Sequence, residues 1–472
     1  MSLEMLSPQD GISRPGRREV QFRTTPLMGK AVAVGLVLFC SCLTLAVIYA
    51  VVILEVGWPL ILILMLWTLL ALPVITRFLK GRFDLFEALI WVVIFYGWCY
   101  VLRPAYMIAT GTGHMYLTLD KTELEASLVL VLGYAILGIM AFFAGYRLRF
   151  GERVAGRLPC PALLWDTRAA YVVVLLYTLV GAVASIIYLN ANGGLMFYVT
   201  HINWFRVESL NIRFAFLQWG FKLFPIASYI WLLTILYSDR SSAFSKLALG
   251  MYMLGSTIML LILGGRSGVV SYWLMAALLY HYGKHHLRLS YMLVMLLIIL
   301  FFTVIAGQIR GQLFSTSNLY TYTPSRNFSI VSFSVKSVLD KFFNSPDSDA
   351  MDVFLGLLRG VPNEFPLQCG KQFVEILKAF VPAGLLPISG ARELLRVYLL
   401  GEQIRDTFWP WYGGGTPPSI LGFLYLNFHF IGVITGMFIF GVFSRMVYSY
   451  LLQNRLNRGT ILLYGLTLFG AI

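Results

Sequence analysis

Five arginines, Arg206, Arg213, Arg266, Arg310 and Arg359, are the residues of this chain best suited to work on a charged ligand. A guanidinium is always charged and forks onto two phosphate oxygens at once, which a lysine ammonium does not. Arg206, Arg213 and Arg266 stand in short turns between apolar runs, the last within Gly264-Gly265-Arg266-Ser267-Gly268, and Arg310 lies just beyond the next apolar run. An arginine at a span end also snorkels to lipid headgroup phosphates, and for any one of the five both readings stay open. Five of them on one side of a membrane favour an anionic ligand.

Two other groups have chemical potential. Trp409-Pro410-Trp411-Tyr412-Gly413-Gly414-Gly415-Thr416-Pro417-Pro418 combines flat aromatic faces suited to sugar rings with glycines that let backbone approach a ligand, and Tyr412 is a binding candidate there. The alternative is a set of interfacial aromatics over a turn. His281 and His285 have the i,i+4 spacing of a zinc pair, but no carboxylate is near in sequence to complete a site. The five cysteines, Cys40, Cys42, Cys99, Cys160 and Cys369, form neither a disulfide framework nor a ligand cluster, so no metal or cofactor is expected.

Membrane spans must position these groups. The chain is 58% hydrophobic and 12% charged, and its mean hydropathy of +0.76 excludes a soluble globular protein. Apolar runs at 31–54, 57–77, 84–107, 126–146, 169–189, 215–237, 246–264, 268–283, 289–306 and 419–443 predict ten spans, given the roughly 20 residues each crossing needs. The run 459–472 predicts an eleventh that is cut short. The first run is too long for the core of a cleaved signal peptide and reads as a signal anchor.

Charge sets the orientation. A basic arm with Arg14, Arg17, Arg18, Arg23 and Lys30 places the N-terminus in the cytoplasm. The arm and the loops that then fall inside hold 20 of the 36 Lys and Arg. The net charge of +14 is spread over short loops, which speaks for topology and anionic lipid rather than nucleic acid. No repeat of fixed period is visible, and no paired broken helices of the kind that mark many transporters. Gly432, Gly436 and Gly441 follow the small-residue spacing of close helix contact.

The resulting division is a disordered basic arm at 1–30, nine spans at 31–306, a large outer loop at 307–418 and C-terminal membrane helices at 419–472, forming one membrane-embedded domain. Within the loop, three stretches have helical spacing: 351–361, 372–381 and 391–404, the last with Arg392 and Arg396 at i,i+4. They are expected to lie on the outer membrane surface with apolar faces down. The loop's ten basic residues are balanced by nine acidic ones, which makes it a lid rather than a basic patch.

Several landmarks occur in an order that resembles the Wzy-type polymerases of bacterial O-antigen, enterobacterial common antigen and related polysaccharides. They are Asn192-Gly193-Gly194, the Gly264–Gly268 motif, Leu358-Arg359 through Pro366, Phe380-Val381-Pro382 with Leu386-Pro387, and Thr416-Pro417-Pro418-Ser419-Ile420-Leu421-Gly422 leading into Leu424-Tyr425-Leu426-Asn427-Phe428. The resemblance covers roughly 190–445. Departures stand at Ala383, where many members carry Arg, at Leu386, where they carry Trp, and at His429, where they carry Gly; Arg392 or Arg396 could substitute for the missing arginine.

The resemblance implies an all-α, polytopic inner-membrane glycosyltransferase of the GT-C kind, with about 10 or 11 spans and a periplasmic loop of short amphipathic helices. It would act without metal or cofactor. It would transfer a glycan from undecaprenyl pyrophosphate to a hydroxyl of the next lipid-linked repeat unit, alongside a chain-length regulator and flippase of the same pathway. Arg266 and Arg310, then Arg359, would stabilise the departing pyrophosphate. Glu364 would be the base, with His429 a second candidate. Arg206, Arg213, Arg392, Arg396, Tyr412, Tyr425 and His429 would bind substrate. The competing readings are a ligase that moves the finished glycan onto lipid A core, a lipid-linked oligosaccharide flippase or other transporter, and a membrane scaffold.

Overall fold

A helix satisfies its own backbone hydrogen bonds, which a bilayer cannot do for it. In the computed structural model every regular element among the described residues is accordingly a helix. The structure describes residues 57–81, 83–110, 121–159, 166–200, 217–238, 242–262, 266–284, 287, 291, 294–295, 350–373 and 418–469. Among the described residues seven helices are long and apolar enough to cross a membrane, so this is a multi-pass membrane protein. The expected spans at 31–54 and 289–306 lie wholly or mostly outside the described residues.

The chain divides into two units, 1–85 and 86–472. The first contains α1 (Trp58–Leu79), which has Pro59 in its first turn, where a missing N–H costs nothing, and Pro73 in its interior. The Pro73 carbonyl accepts from the Thr76 hydroxyl at 3.1 Å and from Arg77 at 3.3 Å.

The second unit opens with α2 (Ala88–Gly97), a π-helical turn (Trp98–Leu102) and α3 (Arg103–Thr110), which run as one span. The widened turn ends two residues before Pro104, whose ring would clash with the carbonyl four residues back. Then follow α4 (Lys121–Arg147), α5 (Phe150–Arg157), α6 (Thr167–Ala191), α7 (Gly194–Thr200), α8 (Gly220–Leu236), α9 (Ala243–Ile262) and α10 (Arg266–Gly283). The last described helices are α11 (Ala350–Gly360), α12 (Ile420–Gln453) and α13 (Arg458–Phe469). At roughly 18 Å, α13 is too short to cross a membrane core by itself.

Two packing groups result. α6, α8, α9, α10 and α13 form one, with Ala170, Val174, Ala227 and Ile230 at a contact centre. α2–α3, α4, α5, α11 and α12 form the other. There α12 lies so close to α4 and α5 that a Cβ on Gly145 would stand 2.1 Å from the Phe438 carbonyl oxygen, and one on Gly441 2.2 Å from that of Phe142. Small residues permit this approach, and dispersion over the shared surface holds it in lipid. Arg445 is ion-paired with Glu152 and lies over the Tyr146 ring, whose hydroxyl donates to Glu87 at 2.6 Å. Outward faces stay apolar, as on α6, where Val172, Leu175, Leu176 and Leu179 are exposed.

Two elements differ from the sequence expectation. α11 was expected on the membrane surface with one face down, yet Met351 through Leu357 are all buried, against α4, α12 and the π turn. Its polar residues are few enough, and its one acidic residue is well enough matched, for protein to cover nearly the whole helix. The span expected at 419–443 is instead a broken helix. Phe428 and His429 have non-helical backbone angles, and Leu424 approaches both Gly432 and Gly436. In a straight helix residues 424 and 436 would be about 18 Å apart. The short piece before the break therefore folds back along the long one, which from Phe430 is about 36 Å and sufficient to span. Of the three glycines read as helix-contact residues, only Gly441 meets another helix; Gly432 and Gly436 accommodate the fold-back.

Candidate functional site

The site is built around α11, whose two charged residues, Asp352 and Arg359, fall on one stripe because seven residues make nearly two turns. Each meets a partner on a different helix. Asp352 is 0% exposed and faces Arg103, itself 1% exposed, with Nε to Oδ2 at 3.4 Å. Burial pushes the Asp352 carboxyl up to about 7, while the Arg103 charge and hydrogen bonding pull it back down. Arg359 reaches Glu123, near the start of α4, at 3.5 Å. That pair is 44% and 54% exposed, so water screens it and it contributes less than about 1 kcal/mol. Arg359 is thus held in place yet readily transferred to a stronger anion.

Beyond α11 the chain turns through Val361–Pro366, with a cis peptide at Pro362. The Gly360 carbonyl accepts from both Glu364 N (2.6 Å) and Phe365 N (3.1 Å), so the corner is tied to the helix end while Glu364 remains exposed. Gln368 N then donates to the Leu426 carbonyl at 3.0 Å, joining the corner to the folded-back piece of α12. Cys369 and Gly370 both have positive φ, and Gly370 sits under Phe428, whose ring stacks on Phe373 at 6.0 Å. A side chain at 370 would strike that ring.

The fold-back supplies the opposite wall. Ser419 caps it, accepting from Gly422 N at 3.1 Å and from the Tyr100 hydroxyl of the π turn at 2.7 Å. Tyr425 is buried among Tyr134, Phe354 and His429, and its hydroxyl lies 2.9 Å from His429 Nε2. His429 has φ 58° and ψ −148°, a region that glycine tolerates and other residues enter only under strain. Asn427 is buried, its amide donating to the Phe423 carbonyl at 2.9 Å, and its Oδ1 has no donor among the described residues.

Of the sequence-derived candidates, Tyr425 and His429 are in contact on the fold-back, while Arg359 at the end of α11 pairs with Glu123 and Glu364 is exposed in the turn that follows. Arg266 is the first residue of α10, and nothing is described of its side chain. Arg206, Arg213, Arg310, Arg392, Arg396 and Tyr412 lie outside the described residues, as do the helices expected at 391–404 and most of 372–381. His281 is buried against Phe86 and Tyr282 and accepts from Leu287 N through Nδ1 at 3.1 Å, which gives it a structural task at the end of α10.

Sequence reading missed Arg103 and Asp352 as a pair. Arg103 stands near the end of the predicted span 84–107, and Asp352 within the predicted helix 351–361, and nothing in their spacing joins them. The available signal was a lone acid in an otherwise apolar helix and a lone base in a span, each of which must find a partner to be buried. Set against known protein families, characterised proteins and solved structures, the chain matches none of them.

Proposed function

We propose that this protein is a membrane glycosyltransferase that polymerises undecaprenyl-pyrophosphate-linked oligosaccharide repeat units. In this reading it sits in the bacterial inner membrane with its N-terminus in the cytoplasm and residues 307–418 on the periplasmic side. The supporting observation is that residues flanking the motif stretch 358–366 on both sides contact the described part of the second stretch, 418–428, through the Gln368–Leu426 bond and the Phe354–Tyr425 contact at 5.9 Å. Residues distant in sequence that converge on one corner with an accessible guanidinium and an accessible carboxylate have the form of a transfer site.

The chemistry follows from the groups. Transfer breaks the bond between the glycan's reducing-end carbon and the pyrophosphate oxygen, and joins that carbon to an acceptor hydroxyl, whose proton must leave. Arg359, shared with Glu123 only weakly, is available to the developing pyrophosphate charge, together with Arg266 and Arg310. Glu364 is exposed on a tied backbone and serves as the base. The exposed His429 ring, set against buried Tyr425, offers a face for a sugar ring. The glycine-like backbone at His429 also gives a physical reason for the glycine that the resembled family carries there.

Reconstitution tests the reading. Purified protein given a synthetic undecaprenyl-pyrophosphate-linked repeat unit should yield a ladder of longer glycans and release undecaprenyl pyrophosphate, and Glu364→Gln should abolish the ladder. Transfer only when lipid A core is added would replace polymerase by ligase. Translocation without any transfer would remove the enzyme reading.

A further inference from the structure

We infer that the Arg103–Asp352 ion pair is a rotational lock, which sets the angle of α11 about its own axis and so the direction in which Arg359 and the Glu364 corner face. The pair links the residue after the π turn to the first turn of α11, with both side chains removed from solvent.

The need for such a lock follows from the composition of α11. Met351, Val353, Phe354, Leu355 and Leu357 bury apolar surface on every side, and apolar burial is non-directional. A helix of this kind has no strong preference among angles, and slipping by one residue turns it about 100° and moves it 1.5 Å. Arg359 would then leave Glu123, and the corner hung on the Gly360 carbonyl would swing with it. The exposed Arg359–Glu123 pair is too weak to prevent this. A buried pair is different: turning α11 away from Arg103 would leave a guanidinium and a carboxyl buried without their partner, which is strongly unfavourable. Asp352 and Arg359 share a stripe, so fixing one fixes the other. The π turn contributes by changing the angular phase of the span just before Arg103. Arg103 and Asp352 are on this account positioning residues, because they act through α11 and not on substrate.

The inference rests on the proposed function for its consequence in catalysis, but not for its structural core, and the test separates the two. Spin labels are placed at Ala126→Cys on α4 and Asn363→Cys in the corner, in the full chain with its five native cysteines replaced. Single substitutions of the pair strand a buried charge and can prevent folding, so the decisive variant is the double replacement Arg103→Met with Asp352→Leu. Apolar residues of similar volume commonly preserve or raise stability at such sites. The parent should give one narrow inter-label distance; the apolar double variant should melt no lower yet give a broad distribution; and the swapped pair, Arg103→Asp with Asp352→Arg, should narrow it again. In the elongation assay the apolar variant should lose about 10²-fold in kcat and raise KM for the lipid-linked donor. A narrow distance and full kcat in the apolar variant would overturn the inference. If the distances behave as described while the parent elongates nothing, the lock stands and the polymerase reading fails.

Discussion

Leu424 packs against Gly436 although the two are twelve residues apart in what the hydrogen-bond pattern joins into one helix, because the chain reverses at Phe428 and His429. This contact places the described part of the motif, 418–428, beside α11.

Substitution at Gly432 should break the reversal. A Cβ there would stand 2.4 Å from the Leu424 carbonyl oxygen, which belongs to the backbone and has nowhere to go. Gly432→Ala should cost about 1–3 kcal/mol, the usual range for overpacking, read as a lower melting temperature in detergent. Gly436→Ala meets the end of the Leu424 side chain instead, which can shift, so it should lower the melting temperature less than Gly432→Ala.

The backbone at His429 makes an opposite prediction. Its φ of 58° and ψ of −148° are strained for histidine and easy for glycine, a difference of about 1–3 kcal/mol. Losing the partly exposed bond to Tyr425 offsets only about 1 kcal/mol. His429→Gly should therefore hold or raise the melting temperature, and His429→Val, with a branched Cβ, should lower it. Equal melting temperatures for the two variants would contradict the assigned conformation.

Releasing Arg359 should sharpen its use. Glu123→Gln removes a screened partner at a stability cost under about 1 kcal/mol. If Arg359 meets the pyrophosphate, KM for the lipid-linked donor should fall by up to about fivefold in Glu123→Gln and rise in Arg359→Ala. Unchanged KM in both would exclude Arg359 from the donor site.

The Asp352 carboxyl should make stability depend on pH. Its folded value, about 7, lies above the ordinary 3.8, so between those values the folded state holds a proton that the unfolded chain has released. The contribution of Asp352 to stability therefore falls as pH rises from about 4 to about 7 and is level above that. Other groups cancel in a comparison with Asp352→Asn: the melting temperature of the parent minus that of the variant should decline across that window. A difference independent of pH would show that the carboxyl is not raised.

The helices of the membrane domain were legible in the residues alone. Apolar length predicted the described spans to within a few residues for most of them, since a bilayer leaves a long apolar run no structure other than a helix. The 351–361 helix was legible too, from its 3.6-residue periodicity. Arg359, Glu364, Tyr425 and His429 stood out by residue type and by their places in the motif stretches.

Their setting was not legible, because it depends on contacts between distant residues. Burial of α11 needs α4, α12 and the π turn on its sides, and hydropathy cannot distinguish a helix covered by lipid from one covered by protein. The reversal at Phe428 and His429 lies within a predominantly apolar run, with no proline to mark it, and becomes favourable only when Leu424 finds Gly432 and Gly436. Arg103 and Asp352 each looked like an isolated polar residue, since the energy of an ion pair depends on a separation in space. What the sequence determined was a set of helices and the chemical types on them; tertiary structure decided which charges are locked inside and which, Arg359 and Glu364, stay exposed.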